Sequence, residues 1–245
     1  MNFTYDSLTS VGGRSVNEDS VKIAVRPSGE ILVLLADGLG GHGMGDKASQ
    51  LVVEKAAEFF LSSMEKDPDV LLANCFQYAQ NALMEEQLRL RAESKMKSTL
   101  VALLVQENTV KYGFVGDSRL YWFRNAKFVQ RSLDHSVPQM LVQQGEIKEK
   151  DIRHHEDRNR LIRVLGIEWN QPKYELSDSI SVQPGDSFLL CSDGYWEWIL
   201  ENKMAKYLKK AATPGEWLKT MEAEIQKNGR KANMDNYTAA AVFFR

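Results

Sequence analysis

The sequence predicts an α+β protein that is built in layers. Amphipathic helical segments occur in blocks, and β-favouring segments occur in runs joined by short turns, whereas alternating βαβ units would place one helix after each strand. The length of 245 residues suits one large domain or two small ones. Because no repeat, low-complexity tract or interdomain linker divides the chain, we predict a single domain over residues 1–245.

The first half of the chain contains a hairpin, two helices and a run of strands. Apolar segments at 21–25 and 31–36 flank a turn-rich linker with Pro27 and Gly29, which indicates a hairpin. Apolar residues then recur on one helical face over 46–64 and again over 70–92. Short β-favouring segments separated by turns follow, which we interpret as an antiparallel meander over 98–106, 109–115, 120–124 and 127–131.

The second half returns to mixed structure. The polar stretch 137–163 is expected to form short surface helices. The pattern predicts strands at 174–182 and 187–191, helices at 196–210 and 214–228, and a final strand at 237–244.

Composition excludes several classes of protein. Hydrophobic residues make up 43% of the chain and charged residues 26%, which is typical of a globular protein and not of a disordered one. The net charge is only −2, so no electrostatic signature predicts nucleic acid or an anionic membrane as a partner. The longest apolar runs fall far short of the ~20 residues of a membrane-spanning helix. With no secretory signal at the start, we expect a cytoplasmic protein.

Four acidic motifs carry the functional prediction: Asn17-Glu18-Asp19, Asp37-Gly38, Asp193-Gly194 and Asp235-Asn236. The last three adjoin β-favouring runs, so folding is expected to bring them to one edge of a sheet. Any single Asp-Gly step is more simply a hairpin turn. Asp37 and Asp193, however, lead into helix-like segments and not into a return strand. Asp117 equally suits a simple turn between two strands.

The glycine-rich loop after Asp37 matches two nucleotide motifs only superficially. Gly38-Leu39-Gly40-Gly41-His42-Gly43 fits the dinucleotide fingerprint, but the region that should hold a parallel strand and a ribose-binding acid is helical. A phosphate-binding P-loop is excluded because Asp46 stands where its lysine belongs. The glycines do permit close backbone approach, so the Gly38 carbonyl is itself a candidate ligand.

The type of ligand narrows the choice of metal. Oxygen-only sites suit Mg²⁺ or Mn²⁺, whereas Zn²⁺ sites usually recruit His or Cys. Four or five clustered carboxylates repel one another, and two divalent ions spaced ~3.5–4 Å would neutralise them and activate a bridging water. That arrangement hydrolyses phosphate esters.

The order of motifs resembles the PP2C-type (PPM) metal-dependent Ser/Thr protein phosphatases, particularly the bacterial single-domain members. The resemblance spans nearly the whole chain and rests on segments 13–19, 36–42, 98–99, 116–119, 133–136, 191–194 and 235–236. It implies a four-layer α-β-β-α sandwich, in which two central antiparallel sheets are flanked by helix pairs and the metals lie at one end.

The resemblance also implies a ligand set for two Mn²⁺ or Mg²⁺ ions. Asp37 resembles the ligand that bridges both ions and, with Asp193 and Arg14, is assigned to the catalytic set. Asp193 and Asp235 complete the shell of one ion. Glu18 and the carbonyl of Gly38 serve the other.

Further positions receive supporting roles from the same resemblance. Arg14 resembles the arginine that grips the phosphate, although its alternative is a surface salt bridge. Asp117, with Asp193, resembles the ligands of a possible third metal. Asp19, acting through water, and Asn236 are supporting residues. Leu39 departs from the animal members, which have a histidine there as a candidate general acid.

The resemblance implies hydrolysis of phosphoserine and phosphothreonine by direct attack of a metal-bridging hydroxide, without a phosphoenzyme. Phosphorylated Ser/Thr proteins and a cognate Ser/Thr kinase are the expected partners. The segment 137–163 is expected to be a flap that steers substrate choice. We expect a monomer. Cys191 is expected to be a buried strand residue. The alternatives are a catalytically silent phosphopeptide-binding module, which would have lost ligands, and another two-metal phosphoesterase such as a nuclease, which would show a basic groove.

Overall fold

In the computed structural model, the described residues are 2–39, 44–92 and 95–245. The strands in this part of the chain are β1 (Phe3–Ser10), β2 (Asp19–Val25), β3 (Ile31–Leu39), β4 (Lys97–Ser98), β5 (Leu100–Gln106), β6 (Thr109–Val115), β7 (Arg119–Arg124), β8 (Lys127–Arg131), β9 (Glu175–Leu176), β10 (Ile180–Ser181), β11 (Asp186–Cys191) and β12 (Tyr237–Phe244). The helices are α1 (Gly45–Ser62), α2 (Pro68–Leu90), α3 (Val137–Gln143), α4 (Asp193–Trp196), α5 (Glu201–Leu208) and α6 (Pro214–Gly229), with a 3₁₀ helix over Glu149–His154.

The strands form two antiparallel sheets that pack face to face. One sheet has the order β1-β12-β11-β7-β8, and the other has the order β10-β6-β5-β3-β2, with β9 beside β6 and β4 beside β3. Strand β3 shows why its sequence is apolar throughout. Its Val33 and Leu35 lie between the sheets, whereas Leu34 and Ala36 face the helices on the outer side. A strand that is buried on both faces cannot alternate polar and apolar residues.

Helices α1 and α2 cover the outer face of the β3 sheet. Asp67 caps α2, because its carboxylate accepts hydrogen bonds from the backbone N–H groups of Asp69 and Val70. Pro68 occupies the first turn, where its missing N–H costs nothing. Apolar residues on both helices pack against Leu34 and its neighbours in one cluster.

The opposite face is covered by the C-terminal helices. Trp217 and Met221 of α6 pack with Leu189 and Ala241 of the five-stranded sheet. The predicted four-layer sandwich is therefore confirmed. No helix in the described ranges is both long enough and apolar enough to cross a membrane.

The structure differs from the predicted elements at four places. The predicted strand over 174–182 is divided into β9 and β10, which each pair with β6. The predicted meander is wrong: β5 and β6 pair in one sheet, whereas β7 and β8 pair in the other, and the chain crosses between sheets at Gly116–Ser118. The predicted helix over 196–210 is divided into α4 and α5. Strand β1 was not predicted, because it is a mostly exposed edge strand of polar character.

The crossing at Gly116–Ser118 rules out the interpretation of Asp117 as part of a simple turn. Gly116 has a φ of +101°, a backbone conformation that favours glycine. Turn residues identify a change of direction, but they do not specify which sheet the next strand joins. Asp117 is therefore not in a simple hairpin turn, and it lies where the two sheets meet.

Candidate active site

A cavity of about 480 Å³ opens at one end of the sandwich. Among the residues that line it are eight predicted site residues: Arg14, Glu18, Asp37, Gly38, Asp117, Asp193, Asp235 and Asn236. Asp19 does not line the cavity. The remaining residues of the glycine loop, Gly40, Gly41, His42 and Gly43, lie outside the described residues.

Strand topology explains why these residues meet. Asp37, near the end of β3, is directly opposite Asp19 at the start of β2. Asp193 follows β11, and Asp235 precedes β12. Because β11 and β12 are antiparallel neighbours, with Cys191 paired to Ala239, the end of one strand lies beside the start of the other. Neighbouring strand ends from both sheets thus deliver carboxylates to one edge.

Asp37 is fixed by its backbone. Its N–H donates to Thr99 Oγ1 at 2.9 Å, and its carbonyl accepts from the Thr99 N–H at 2.8 Å. The Thr99 hydroxyl is also 2.7 Å from the hydroxyl of Ser118. This network ties Asp37 to the loop that carries Asp117, and it gives a structural role to the Ser98-Thr99 and Asp117-Ser118 motifs.

The cavity concentrates negative charge, and among the described residues only Arg14 forms an ion pair with one of its carboxylates. Burial is the largest cause that raises the pKa of Asp37 well above its ordinary value, and the charges of Asp19, Asp193, Asp117 and Asp235 add to it. Burial, followed by the charge of Asp117, likewise raises the pKa of Asp193 well above normal. A bound divalent cation would favour the ionised form of each group.

Asp117 and Asp19 are perturbed for a similar reason. Burial, followed by the charge of Asp134, raises the pKa of Asp117 to about 7. Burial raises the pKa of Asp19 to about 7, although a hydrogen bond from the Ser192 hydroxyl at 2.6 Å opposes the shift. Asp19 therefore lies beneath the cavity as a buried support for the Asp37 strand. The water-mediated role of Asp19 stays a prediction.

Two glycines create room for a second group of oxygen donors. A Cβ on Gly45 would lie 2.5 Å from Glu18 Oε1 and 2.7 Å from the Gly38 carbonyl oxygen. These two predicted ligands therefore converge on the space beside Gly45. The Gly45 N–H also donates to the Glu18 carboxylate, while burial raises the pKa of Glu18 overall.

The donor set fits Mg²⁺ or Mn²⁺. Every candidate ligand supplies oxygen, and within the described residues Asp37, Asp117 and Asp193 form no ion pair. Within the described parts of the chain, no three His, Cys, Asp or Glu side chains close around one point. Binding of Mg²⁺ does not require such a group, because this ion usually keeps several waters and takes only one or two carboxylates from the protein.

Arg14 lies at the mouth of the cavity and forms an ion pair there. Its Nη2 donates to Asp235 Oδ2 at 2.7 Å, with 49% of the arginine side chain exposed. The salt bridge that was the alternative for Arg14 is thus present, but its partner is a predicted metal ligand. The ion pair places the guanidinium beside the carboxylate cluster.

Asn236 connects the first acidic motif to β12. Its Oδ1 accepts a hydrogen bond from the Glu18 N–H at 2.8 Å, and its Nδ2 donates to the carbonyls of Val11 and Val16. A single amide therefore organises the loop that carries both Arg14 and Glu18. The supporting role of Asn236 stays a prediction, which these hydrogen bonds motivate.

Sequence reasoning did not single out the two flap residues that line the cavity. Asn159 and Leu161 of the predicted flap line it directly. Arg158, also in the flap, forms an ion pair with Glu197, which follows α4. The sequence shows that the flap contains both acidic and basic residues, but it does not indicate which acid each arginine contacts.

A buried ion pair supports Asp117 from behind. Arg119 donates to both carboxylate oxygens of Asp134, at 2.8 and 2.6 Å, and both side chains are almost fully buried. The Arg119 guanidinium lies 3.5 Å from the ring centroid of Trp196. Trp196 Nε1 in turn donates to the Asp117 carbonyl at 3.0 Å.

We expect Asp134→Asn to lower the free energy of unfolding by about 3 kcal/mol or more, because it leaves the buried Arg119 charge without its carboxylate. Urea unfolding followed by circular dichroism measures this change. Asp157→Asn is the matched control, because Asp157 meets Arg160 only at 3.9 Å on the surface. The control should change stability by less than about 0.5 kcal/mol. Equal effects of the two substitutions would contradict the role of burial.

We expect Gly38→Ala to disrupt the candidate site. Its Cβ would lie 1.9 Å from the Gly45 carbonyl oxygen, so the backbone would have to move and separate the Gly38 carbonyl from Glu18. Titration with Mn²⁺ followed by calorimetry should show weaker binding, by about tenfold or more. In the control, Gly215→Ala, the new Cβ meets only the end of the Asp6 side chain, so metal affinity should not change.

Comparisons with known proteins agree with this geometry. The family model described as "Protein phosphatase 2C" matches residues 11–237. The serine/threonine phosphatase stp of Listeria monocytogenes is 32% identical over 94% of this chain and 90% of its own length. The crystal structure of serine/threonine phosphatase Stp1 from Staphylococcus aureus has a TM-score of 0.91 and 26% identity, covering 100% of this chain and 96% of that one.

A further solved structure bears on the metal. The catalytic domain of the serine/threonine phosphatase PstP, in complex with two manganese ions, has a TM-score of 0.84 and 27% identity. The similarity covers 98% of this chain and 97% of that one.

Proposed function

This chain belongs to the protein phosphatase 2C family of serine/threonine protein phosphatases, and we propose that the carboxylate cavity is its active site. The observation that carries the proposal is the convergence of Glu18, Asp37, Asp117, Asp193 and Asp235 on one cavity. The raised pKa of Asp37 supports it, because strongly perturbed carboxyl groups in a cleft are typical of functional sites.

The family and the manganese-bound relative support dependence on a divalent metal. We propose that the metal is Mn²⁺ or Mg²⁺ and that two ions share Asp37, one held by Glu18 and the Gly38 carbonyl and the other by Asp193 and Asp235. Asp117 and Asp193 would hold a third. When bound, the ions supply an activated water for attack on phosphorus and positive charge that stabilises the phosphoryl oxygens.

The protein's own residues bind and orient the substrate. Arg14 presents a planar fork of donors that matches phosphate oxygens, and Asp235 occupies only its Nη2. Asn236 holds the loop that positions Arg14 and Glu18. Leu39 lines the cavity, so no side chain at this position can protonate the leaving group.

Phosphorylated serine and threonine proteins are the substrates that the family implies. We further propose that the enzyme acts as a monomer in the cytoplasm and opposes a cognate Ser/Thr kinase. The flap supports a role in substrate choice, because Asn159 and Leu161 line the cavity.

The function is tested by comparing three substrates in the presence of Mn²⁺. A phosphothreonine peptide should be hydrolysed efficiently, whereas a phosphotyrosine peptide and the diester bis-p-nitrophenyl phosphate should react slowly. Preferred hydrolysis of the diester would favour the alternative of another two-metal phosphoesterase. Tight binding of the phosphothreonine peptide without turnover would favour the silent binding module.

Cys191→Ser should retain turnover of the phosphothreonine peptide within about twofold. Cys191 is fully buried, as predicted, between the five-stranded sheet and the C-terminal helices. Burial raises the pKa of its thiol far above the range of a reactive cysteine. Steady-state kinetics measure the effect. If this variant lost turnover but bound Mn²⁺ normally, a nucleophilic cysteine would replace the proposed mechanism.

A further inference from the structure

A second cavity, of about 780 Å³, lies on the other side of Trp196 from the active site. It is bounded by the β7–β8 hairpin, the 3₁₀ helix over Glu149–His154 and the start of α5. We call it the rear pocket, and its characteristic lining residues are Lys127, Phe128, Arg131, Lys150, Arg153 and Leu200. Its volume falls within the range of roughly 300–1,000 Å³ that is typical of small-molecule sites.

Apolar side chains that pack only partly against the core remain accessible in the rear pocket. Phe128 is 42% exposed and Leu200 is 52% exposed, and both line the same cavity. Ala126 and Ala205 extend this lining. Adjacent large apolar groups on a surface are typical of binding sites, whereas isolated ones are not informative.

The charges around the pocket favour an anion. Arg119 and Arg131 both pair with Asp134, Arg131 also pairs with Glu149, and Arg153 pairs with Glu201. The charges of the three arginines on the floor are therefore neutralised within the protein. Lys127 and Lys150 on the rim are exposed, and within the described residues neither forms an ion pair. The rim therefore carries two positive charges without partners.

We propose that the rear pocket binds a small organic anion, namely an aromatic carboxylate or sulfonate. The apolar body would pack on Phe128 and Leu200, and the anionic group would meet Lys127 and Lys150. A mostly apolar pocket with a few charged groups is the composition expected for such a ligand. This site is separate from the phosphatase chemistry and does not depend on it.

The floor of the rear pocket is in contact with the support of the active site. Arg119 and Arg153 line the pocket, and both guanidinium groups stack on the Trp196 ring, at 3.5 and 5.4 Å from its centroid. The indole N–H of Trp196 donates to the Asp117 carbonyl. A ligand in the pocket should therefore change the environment of the Trp196 indole.

The test is a titration of the ¹⁵N-labelled, Mg²⁺-loaded protein with naphthalene-2-sulfonate, followed by NMR. The indole N–H signal of Trp196, assigned with Trp196→Phe, should shift in a saturable manner with a dissociation constant below about 1 mM. Trp169 is the internal control, because its ring packs in the opposite helix layer. Its indole signal should remain unchanged.

Variants of the lining separate the apolar and charged contributions. The double substitution Lys127→Glu and Lys150→Glu should weaken binding about tenfold, while Lys22→Glu, on an exposed position of the other sheet, should not. Ala205→Phe should fill the pocket and abolish the shift. Leu200→Ser should weaken binding several-fold without unfolding the protein, because Leu200 is the N-cap of α5 and serine is a preferred cap.

Two further comparisons can overturn the proposal. The neutral analogue naphthalene-2-sulfonamide should bind at least about fivefold more weakly, and Arg14→Ala should leave sulfonate binding unchanged because Arg14 lies in the other cavity. Absence of a saturable Trp196 shift, equal binding of the neutral analogue, or loss of binding in Arg14→Ala would each contradict it. The proposal would also be contradicted if an acidic peptide shifted the Trp196 signal and naphthalene-2-sulfonate did not, because the ligand would then be a peptide.

Discussion

Asp37→Asn and Asp193→Asn should each reduce kcat on a phosphothreonine peptide by about 10³-fold or more, a loss of roughly 4 kcal/mol in transition-state stabilisation. Both carboxylates lie in the cavity, and each is perturbed by burial and by the charges of the others. An amide keeps the shape of the side chain but loses the negative charge that a divalent ion requires. Steady-state kinetics at saturating Mn²⁺ measure the effect.

In the metal-free protein, the same substitutions should increase the stability of the fold. Removing one of several buried like charges relieves repulsion, so Asp37→Asn should raise the unfolding temperature in EDTA while its circular dichroism spectrum stays unchanged. Glu85→Gln, an exposed position on α2, is the control and should alter neither turnover nor stability. A loss of activity accompanied by a lower unfolding temperature in EDTA would instead indicate misfolding.

Removal of the metal should have an effect of similar size. Turnover in excess EDTA should fall below about 1% of its initial value, and Mn²⁺ or Mg²⁺ should restore it, since the ions supply the nucleophile and neutralise the phosphoryl charge. Metal should also raise the unfolding temperature, because it binds the folded state selectively. Asp37→Asn should show a much smaller increase. Full turnover in EDTA would exclude the two-metal site.

Local patterns predicted most of the elements. The bounds of β6, β8 and β12 match the predicted segments, because the residues that favour a strand and the turn residues that end it are close together in the sequence. The antiparallel meander failed at Gly116–Ser118, where the chain changes sheet. Whether β7 joins β6 or β11 depends on long-range packing, which no local pattern records.

The same distinction applies to the candidate site. Acidic motifs at the ends of β-favouring runs predicted that Asp37, Asp193 and Asp235 would meet. The sequence did not reveal that Asp19 is buried beneath the cavity against Ser192, or that the Thr99 hydroxyl links Asp37 to Ser118. These contacts depend on the register of distant strands.

One diffraction experiment tests the central claim most directly. Crystals grown with Mn²⁺ should show anomalous scattering from two ions in the cavity, one beside Glu18 and the Gly38 carbonyl and one beside Asp193 and Asp235, with Asp37 between them. Absence of manganese from this cavity, in crystals of protein that hydrolyses the phosphothreonine peptide, would contradict the account.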